Sequence, residues 1–126
     1  MKLPATPFTL VDWATVPATE HLGERGYATW RTQNFGDMRV RMVEYSAGYL
    51  ADHWCDRGHV LLVLEGELET ELQDGRRFHM KPGQSYQVSD FGDAAHRSST
   101  KDGAKRPTGR SGRRPIRSKR CATRSP

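Results

Sequence analysis

The sequence predicts an all-β protein. Short β-prone runs recur between residues 28 and 100, glycine or aspartate punctuates them, and no segment carries a convincing 3.6-residue apolar period. Several short strands joined by tight turns form a sandwich or barrel, and closure is the simplest way to remove open sheet edges. A length of 126 residues allows one small domain.

Taken in order, residues 1–27 are apolar in patches but interrupted by proline, which predicts an extended N-terminal arm. Phe8, Leu10, Val11 and Trp13 would pack it on the barrel or on a second subunit. Strands are expected at 28–33, 38–45, 60–65, 67–73 and 76–80, with Gly or Asp breaks at 36–37, 48, 58, 66 and 74–75. The run 60–65 is apolar on both faces and reads as a central, covered strand. In 67–73, Leu68, Thr70 and Leu72 alternate with Glu67, Glu69, Glu71 and Gln73, so one face is wet. Asp74-Gly75 signals a two-residue hairpin, a type I′ turn with positive φ at both central residues. Pro82-Gly83 makes the next turn, into the short strand Ser85-Tyr86-Gln87-Val88, and residues 96–100 supply a further strand. The barrel thus spans 28–104.

Charge divides the chain. The formal net charge is +5 and the mean hydropathy −0.80. Residues 1–100 hold 10 Lys+Arg against 14 Asp+Glu, whereas 101–126 hold 10 against Asp102 alone. The basic character therefore belongs to the last 26 residues. Residues 105–126 contain one large aliphatic residue, Ile116, and otherwise mainly Arg, Lys, Gly, Pro, Ser and Thr. Such a composition cannot bury enough apolar surface to offset its ordering entropy, so a disordered basic tail is expected. It also matches what a GC-rich gene yields when read out of frame. Clustered arginine would suit phosphate, but no aromatic side chain is interleaved for base stacking, so nucleic-acid binding is the weakest reading.

No apolar run approaches the ~20 residues that span a bilayer, and the first residues lack the apolar core of a signal peptide, so no membrane association and a cytoplasmic location are expected. Two distant cysteines, Cys55 and Cys121, make no disulfide framework and fit a reducing compartment.

The residues that carry chemistry are His53, Cys55 and His59, close together, and His96 after a hairpin. On a strand, the spacing of two would put His53 and Cys55 on one face. Asp56-Arg57-Gly58 offers a bend that lets His59 return from the start of the next strand. Imidazole and thiolate are ligands for zinc or iron, and three or four of them converging at about 2.0–2.3 Å would make a site for one divalent ion. Buried, hydrogen-bonded histidines are the alternative. Tyr45, Tyr86 and Arg97 flank these residues as candidates for ligand contact or core. Trp54, opposite His53, reads as a packing anchor, and His21 and His79 as surface residues.

From Gly48 to Gly66 the sequence resembles the first cupin motif, with His53 and Cys55 at the usual His-x-His pair and His59 where an acidic residue usually stands. Residues 75–96 resemble the second motif, through Gly75, Pro82-Gly83 and His96. More narrowly, the Asp52-His53-Trp54-Cys55 stretch and its flanks resemble the small cupins named for an Asp-His-Cys-Trp motif. The resemblance implies a cupin, or RmlC-like, jelly-roll barrel (a double-stranded β-helix), one Zn or Fe ion held by His53, His59 and His96 with Cys55 as fourth ligand or adjacent thiol, and a homodimer. It implies a small-molecule ligand in the barrel, and an anionic one suits a divalent ion among neutral ligands. Four protein ligands would instead close a tetrahedral site, as in a non-catalytic sensor. An apolar closing strand is expected after Gly103-Ala104-Lys105. Residues 106–126 lack one, which predicts an unpaired barrel edge.

Overall fold

The computed structural model describes residues 5–102, together with the backbone at 104–105, 113–114 and 116–124. Among the described residues, a 3₁₀ turn at Trp13–Thr15 precedes eleven strands: β1 (Ala18–Leu22), β2 (Tyr27–Phe35), β3 (Met38–Tyr45), β4 (His59–Glu65), β5 (Leu68–Leu72), β6 (Arg77–Met80), β7 (Ser85–Val88), β8 (His96–Ser99), β9 (Ala104–Lys105), β10 (Arg113–Arg114) and β11 (Ile116–Arg124). One sheet has the order β1-β2-β3-β11-β4-β7, a second has β6-β5-β8, and β9 pairs with β10. Isolated bridges at Arg25–Leu50, Leu50–Ser99 and Cys55–His96 tie further loop residues into this frame.

Alternation decides what faces inward. On β3 the buried residues are Arg41, Val43 and Tyr45, while Met42 and Glu44 on the other face are partly exposed. On β4 they are His59, Leu61 and Val63. Leu68 and Thr70 of β5 point the same way, as expected, and Thr70 meets Ser98 of β8 across the sheet at 3.0 Å. Ala28, Val43, Tyr45, Leu61, Val63, Leu68 and Met80 form the core, with Trp30, Tyr49 and Tyr86 packed against it. Removing so much aliphatic surface from water drives the two sheets together.

The expected strands at 28–33, 38–45, 60–65, 67–73, 76–80, 85–88 and 96–100 are present within one or two residues of those bounds. Several details differ. The segment read as an extended arm contains β1, which pairs with β2 from Ala18↔Arg31 to Leu22↔Tyr27. Of the arm's apolar residues, Phe8 and Leu10 stand in solvent, while Val16 is buried. Arg31 fixes the 3₁₀ turn by donating to the carbonyls of Ala14 and Val16 at 3.3 and 2.6 Å. β4 is fully buried on one face only; on the other Val60 and Leu62 are half-buried and Leu64 is 39% exposed.

The β5–β6 turn is not the two-residue type I′ form. Leu72 N–H bonds to the Arg76 carbonyl and Gly75 N–H to the Leu72 carbonyl, enclosing Gln73-Asp74-Gly75. Among these residues only Gly75 has a positive φ, +101°. A three-residue loop needs the left-handed conformation only once, at its last position, and glycine supplies it there.

Within the basic C-terminal segment, the backbone of 116–124 forms β11. β11 pairs antiparallel with β3 (Ile116↔Tyr45 to Arg124↔Met38) and with β4 (Arg117↔Glu65 to Arg120↔Leu61), with register shifts against both. It lies between β3 and β4, where the absence of an apolar closing strand predicted an unpaired edge. Sheet pairing uses the N–H and C=O groups that every residue except proline carries, so a strand can form with few apolar side chains. Lys105 and Arg113–Arg114 belong to the β9–β10 pair, and the rest of 106–126 lies outside the described residues.

Candidate metal centre

Two short stretches position the cluster. Cys55 and His96 form a reciprocal backbone pair, each N–H bonded to the other's carbonyl at 2.8 Å, which fixes their backbones side by side. His96 opens β8, where it is registered against Leu72 of β5. After Cys55 the chain bends through Arg57 and reaches His59, the first residue of β4. The Asp90 carboxylate accepts from Gly58 N–H at 2.6 Å, and the Asp56 carbonyl from Phe91 N–H at 2.8 Å, so the bend is anchored on both sides.

The result is a compact donor set. Cys55 Sγ lies 3.4 Å from His59 Nε2, and the His59 and His96 rings meet edge-on with centroids 4.9 Å apart. One donor atom from each of Cys55, His59 and His96 falls within 4.8 Å of the others. Zn–N and Zn–S bonds of about 2.0–2.3 Å at tetrahedral angles separate donors by about 3.3–3.8 Å, so the cluster needs only a small contraction to hold an ion. Both histidines are buried, and Tyr86 packs edge-on against His96 at 5.8 Å. The donor chemistry and spacing fit a borderline metal ion.

His53 stands apart from this set. Its side chain is 74% exposed, and Nδ1 lies 2.6 Å from the Asp52 carboxylate. The same-face argument for His53 and Cys55 applies to extended strand, whereas Asp52 and His53 form a bend in which the period of two is lost. His53 lines the rim of the cavity instead.

That cavity, about 610 Å³, opens over the cluster. Arg39, Arg41, Arg57 and Arg97 line it against the carboxylates of Glu20 and Asp52. Arg97 lies over the Trp54 ring at 4.4 Å and pairs with Glu71 at 3.6 Å, so Trp54 anchors a cation. Arg41 is buried, with Nε donating to Thr32 Oγ1 at 3.0 Å and Cζ 3.8 Å from the Trp30 ring centroid. His21 stacks on the same indole at 3.6 Å, so it belongs to the cavity wall and not to the open surface; His79 is a surface residue, 3.0 Å from Glu67. Tyr45 is also in the wall, 4.7 Å from the Tyr49 ring.

Arg41 was not singled out from sequence. In Met38–Tyr45 the apolar parity is Met38, Val40 and Met42, and the opposite parity, beginning with two arginines, is the one that faces inward. The usable signal was that Arg39 and Arg41 share parity with Tyr45, a residue already suspected of ligand contact.

The sequence matches no family model and no curated protein. Solved structures do match. The polyketide cyclase RemF from Streptomyces resistomycificus aligns with a TM-score of 0.66 at 20% identity, covering 95% of this chain and 83% of that one. A sugar phosphate isomerase from a cupin superfamily of Silicibacter pomeroyi aligns with a TM-score of 0.65 at 16% identity, covering 94% and 77%. The cupin domain of Schizosaccharomyces pombe Cnp3 aligns with a TM-score of 0.61 at 12% identity, covering 90% and 72%. The fold is that of a cupin. At these identities the likeness establishes architecture and leaves chemistry to the residues of this cupin barrel. Among the described residues no helix is long and apolar enough to cross a membrane.

Proposed function

We propose that this chain is a metal-binding cupin in which Cys55, His59 and His96 hold one divalent ion, zinc or iron, beside a cavity that takes a small anionic molecule. The observation that carries this reading is the convergence of three donors, two of them on buried histidines, in the lining of a cavity richer in arginine than in carboxylate. Three protein ligands would leave a coordination position free, as catalytic sites do. A thiolate and two neutral imidazoles would leave a divalent ion near +1, a local charge that attracts anions. When bound, the ion would supply Lewis acidity or, as iron, oxygen activation. The chain's own residues bind and orient: Arg41 and Arg39 supply positive charge, and Trp30, Tyr45 and Tyr49 supply walls. A cytoplasmic protein of the Asp-His-Cys-Trp cupin type, acting as a homodimer, is the corresponding finer assignment.

A second reading, a zinc sensor with a closed Cys/His site, requires His53 as fourth ligand. Its exposure and its contact with Asp52 favour the open site. Metal analysis with X-ray absorption at the metal edge separates the two. The open-site reading expects one sulfur at about 2.3 Å, two nitrogens and light exchangeable scatterers, with metal retained by His53→Ala and lost by His96→Ala. Three nitrogens with one sulfur and no exchangeable ligand, together with metal loss in His53→Ala, would overturn it in favour of the sensor. Nucleic-acid affinity that disappears on truncation at Gly103 would instead support the weakest reading, a basic arm.

A further inference from the structure

We propose that the inward face of β3 is the anion subsite of this barrel, with Arg41 as the cationic anchor and the Tyr45 hydroxyl as a second donor for the carboxylate of a small planar organic acid. The inference rests on the reading of the cavity as the ligand site and goes beyond it by naming the residues that select the ligand and the class they select.

Four observations converge. Arg41 and Tyr45 are four residues apart on one strand and both project inward, so they lie along the same cavity wall. Arg41 is 7% exposed, a rare depth for a guanidinium, and it is oriented by Thr32 Oγ1 and the Trp30 indole face. Tyr45 is 1% exposed, and its hydroxyl has no hydrogen-bond partner among the described residues. A buried hydroxyl without a partner is costly, and a ligand oxygen would satisfy it. Finally, the wall beside Arg41 is planar and aromatic, with His21 stacked on Trp30. A guanidinium fork matches a carboxylate, and flat walls favour a planar body over a compact inorganic ion. The rest of such a molecule would extend across the cavity toward Cys55, His59 and His96.

Isothermal titration of the zinc-loaded chain with benzoate, its neutral analogue benzamide and inorganic phosphate tests this. Benzoate is expected to bind, with benzamide and phosphate each at least about tenfold weaker. Arg41→Met keeps an unbranched stem over Trp30 and is expected to lower benzoate affinity at least about tenfold. Tyr45→Phe, which keeps the ring in the core, is expected to lower it about fivefold. Arg41→Lys should recover only part of the loss, because an ammonium lacks the planar fork. Zinc uptake, measured on the same samples, should equal that of the parent chain in all three variants. Absent benzoate binding, equal binding of benzamide or phosphate, or unchanged benzoate affinity in folded Arg41→Met and Tyr45→Phe would each overturn the subsite. A chain that binds benzoate through Arg41 but takes up no zinc would overturn the metal reading while upholding this one.

Discussion

Gly58 shows how a residue without a side chain sets the site. A Cβ there would lie 2.9 Å from the Asp90 backbone nitrogen and 3.0 Å from the Val88 carbonyl oxygen, both fixed backbone atoms. The missing methyl lets the bend between Cys55 and His59 lie flat against the chain after β7, where Asp90 bonds to the Gly58 N–H. Gly58→Ala is therefore expected to destabilise the fold by about 1–3 kcal/mol, the usual cost of overpacking, in chemical denaturation. It should also weaken metal uptake, because relief of the clash moves Cys55 away from His59. Metal affinity equal to that of the parent chain would show that the bend tolerates displacement. At this scale the sequence was only partly legible. Cys55, His59 and His96 were identified by donor chemistry, and Gly58 as a break in the chain. His53 was placed with them by a strand rule that a bend does not obey, and the packing role of Gly58 depends on a residue 32 positions away.

Among the elements, the β5–β6 hairpin carries its own electrostatics. Arg76 bonds to Asp74 at 2.7 Å and to Asp93, in the loop before β8, at 2.6 Å. The Arg76 bond holds the Asp74 carboxyl below its ordinary range. Asp93 is lowered first by the Ala94 N–H that it accepts and then by Arg76. A carboxyl whose pKa is depressed in the folded state contributes stability that is complete above its unfolded value, near 3.9, and is lost as the pH falls through the folded value. Acid should therefore loosen this hairpin below about pH 4, with hydrogen exchange at Leu72 and Gly75 rising there before that of β4. Arg76→Gln should flatten this pH dependence while leaving the behaviour at pH 7 nearly unchanged, since exposed ion pairs contribute little. An unaltered acid profile in Arg76→Gln would assign the loosening to other carboxylates. Strand existence was readable from sequence because period-two alternation and Gly or Pro breaks are local. β1 was not, because Ala18–Leu22 lacks alternation and is held by its pairing with β2. β11 was not, because its place between β3 and β4 is made by backbone pairing, which the side-chain pattern of 116–124 does not signal.

For the whole molecule, the N-terminal arm bears on assembly. Phe8 and Leu10 are 101% and 88% exposed, yet each would gain by leaving water. A homodimer that covered them would remove these side chains of the patchily apolar N-terminal segment from water. Sedimentation velocity is expected to give a dimer that dissociates at least about tenfold more readily in the Phe8→Ser/Leu10→Ser double variant; a monomer in both chains would remove the dimer from the functional assignment. The all-β architecture was accessible from sequence because closure follows from many short strands. The cavity was not, because its wall is assembled from β1, β2, β3, β4, β8 and the loop at 49–57, and no single segment shows a pocket.

The backbone pair between Cys55 and His96 joins positions about forty residues apart in the chain. An ion shared by their side chains would close that long loop in the manner of a crosslink, and closing a long loop restricts the unfolded ensemble more than closing a short one. The unfolded chain holds these donors far apart and binds the ion poorly. Ion binding and folding would thereby be thermodynamically linked, and the free-ion concentration of the surrounding compartment would set how much of the chain is folded as well as how much is loaded.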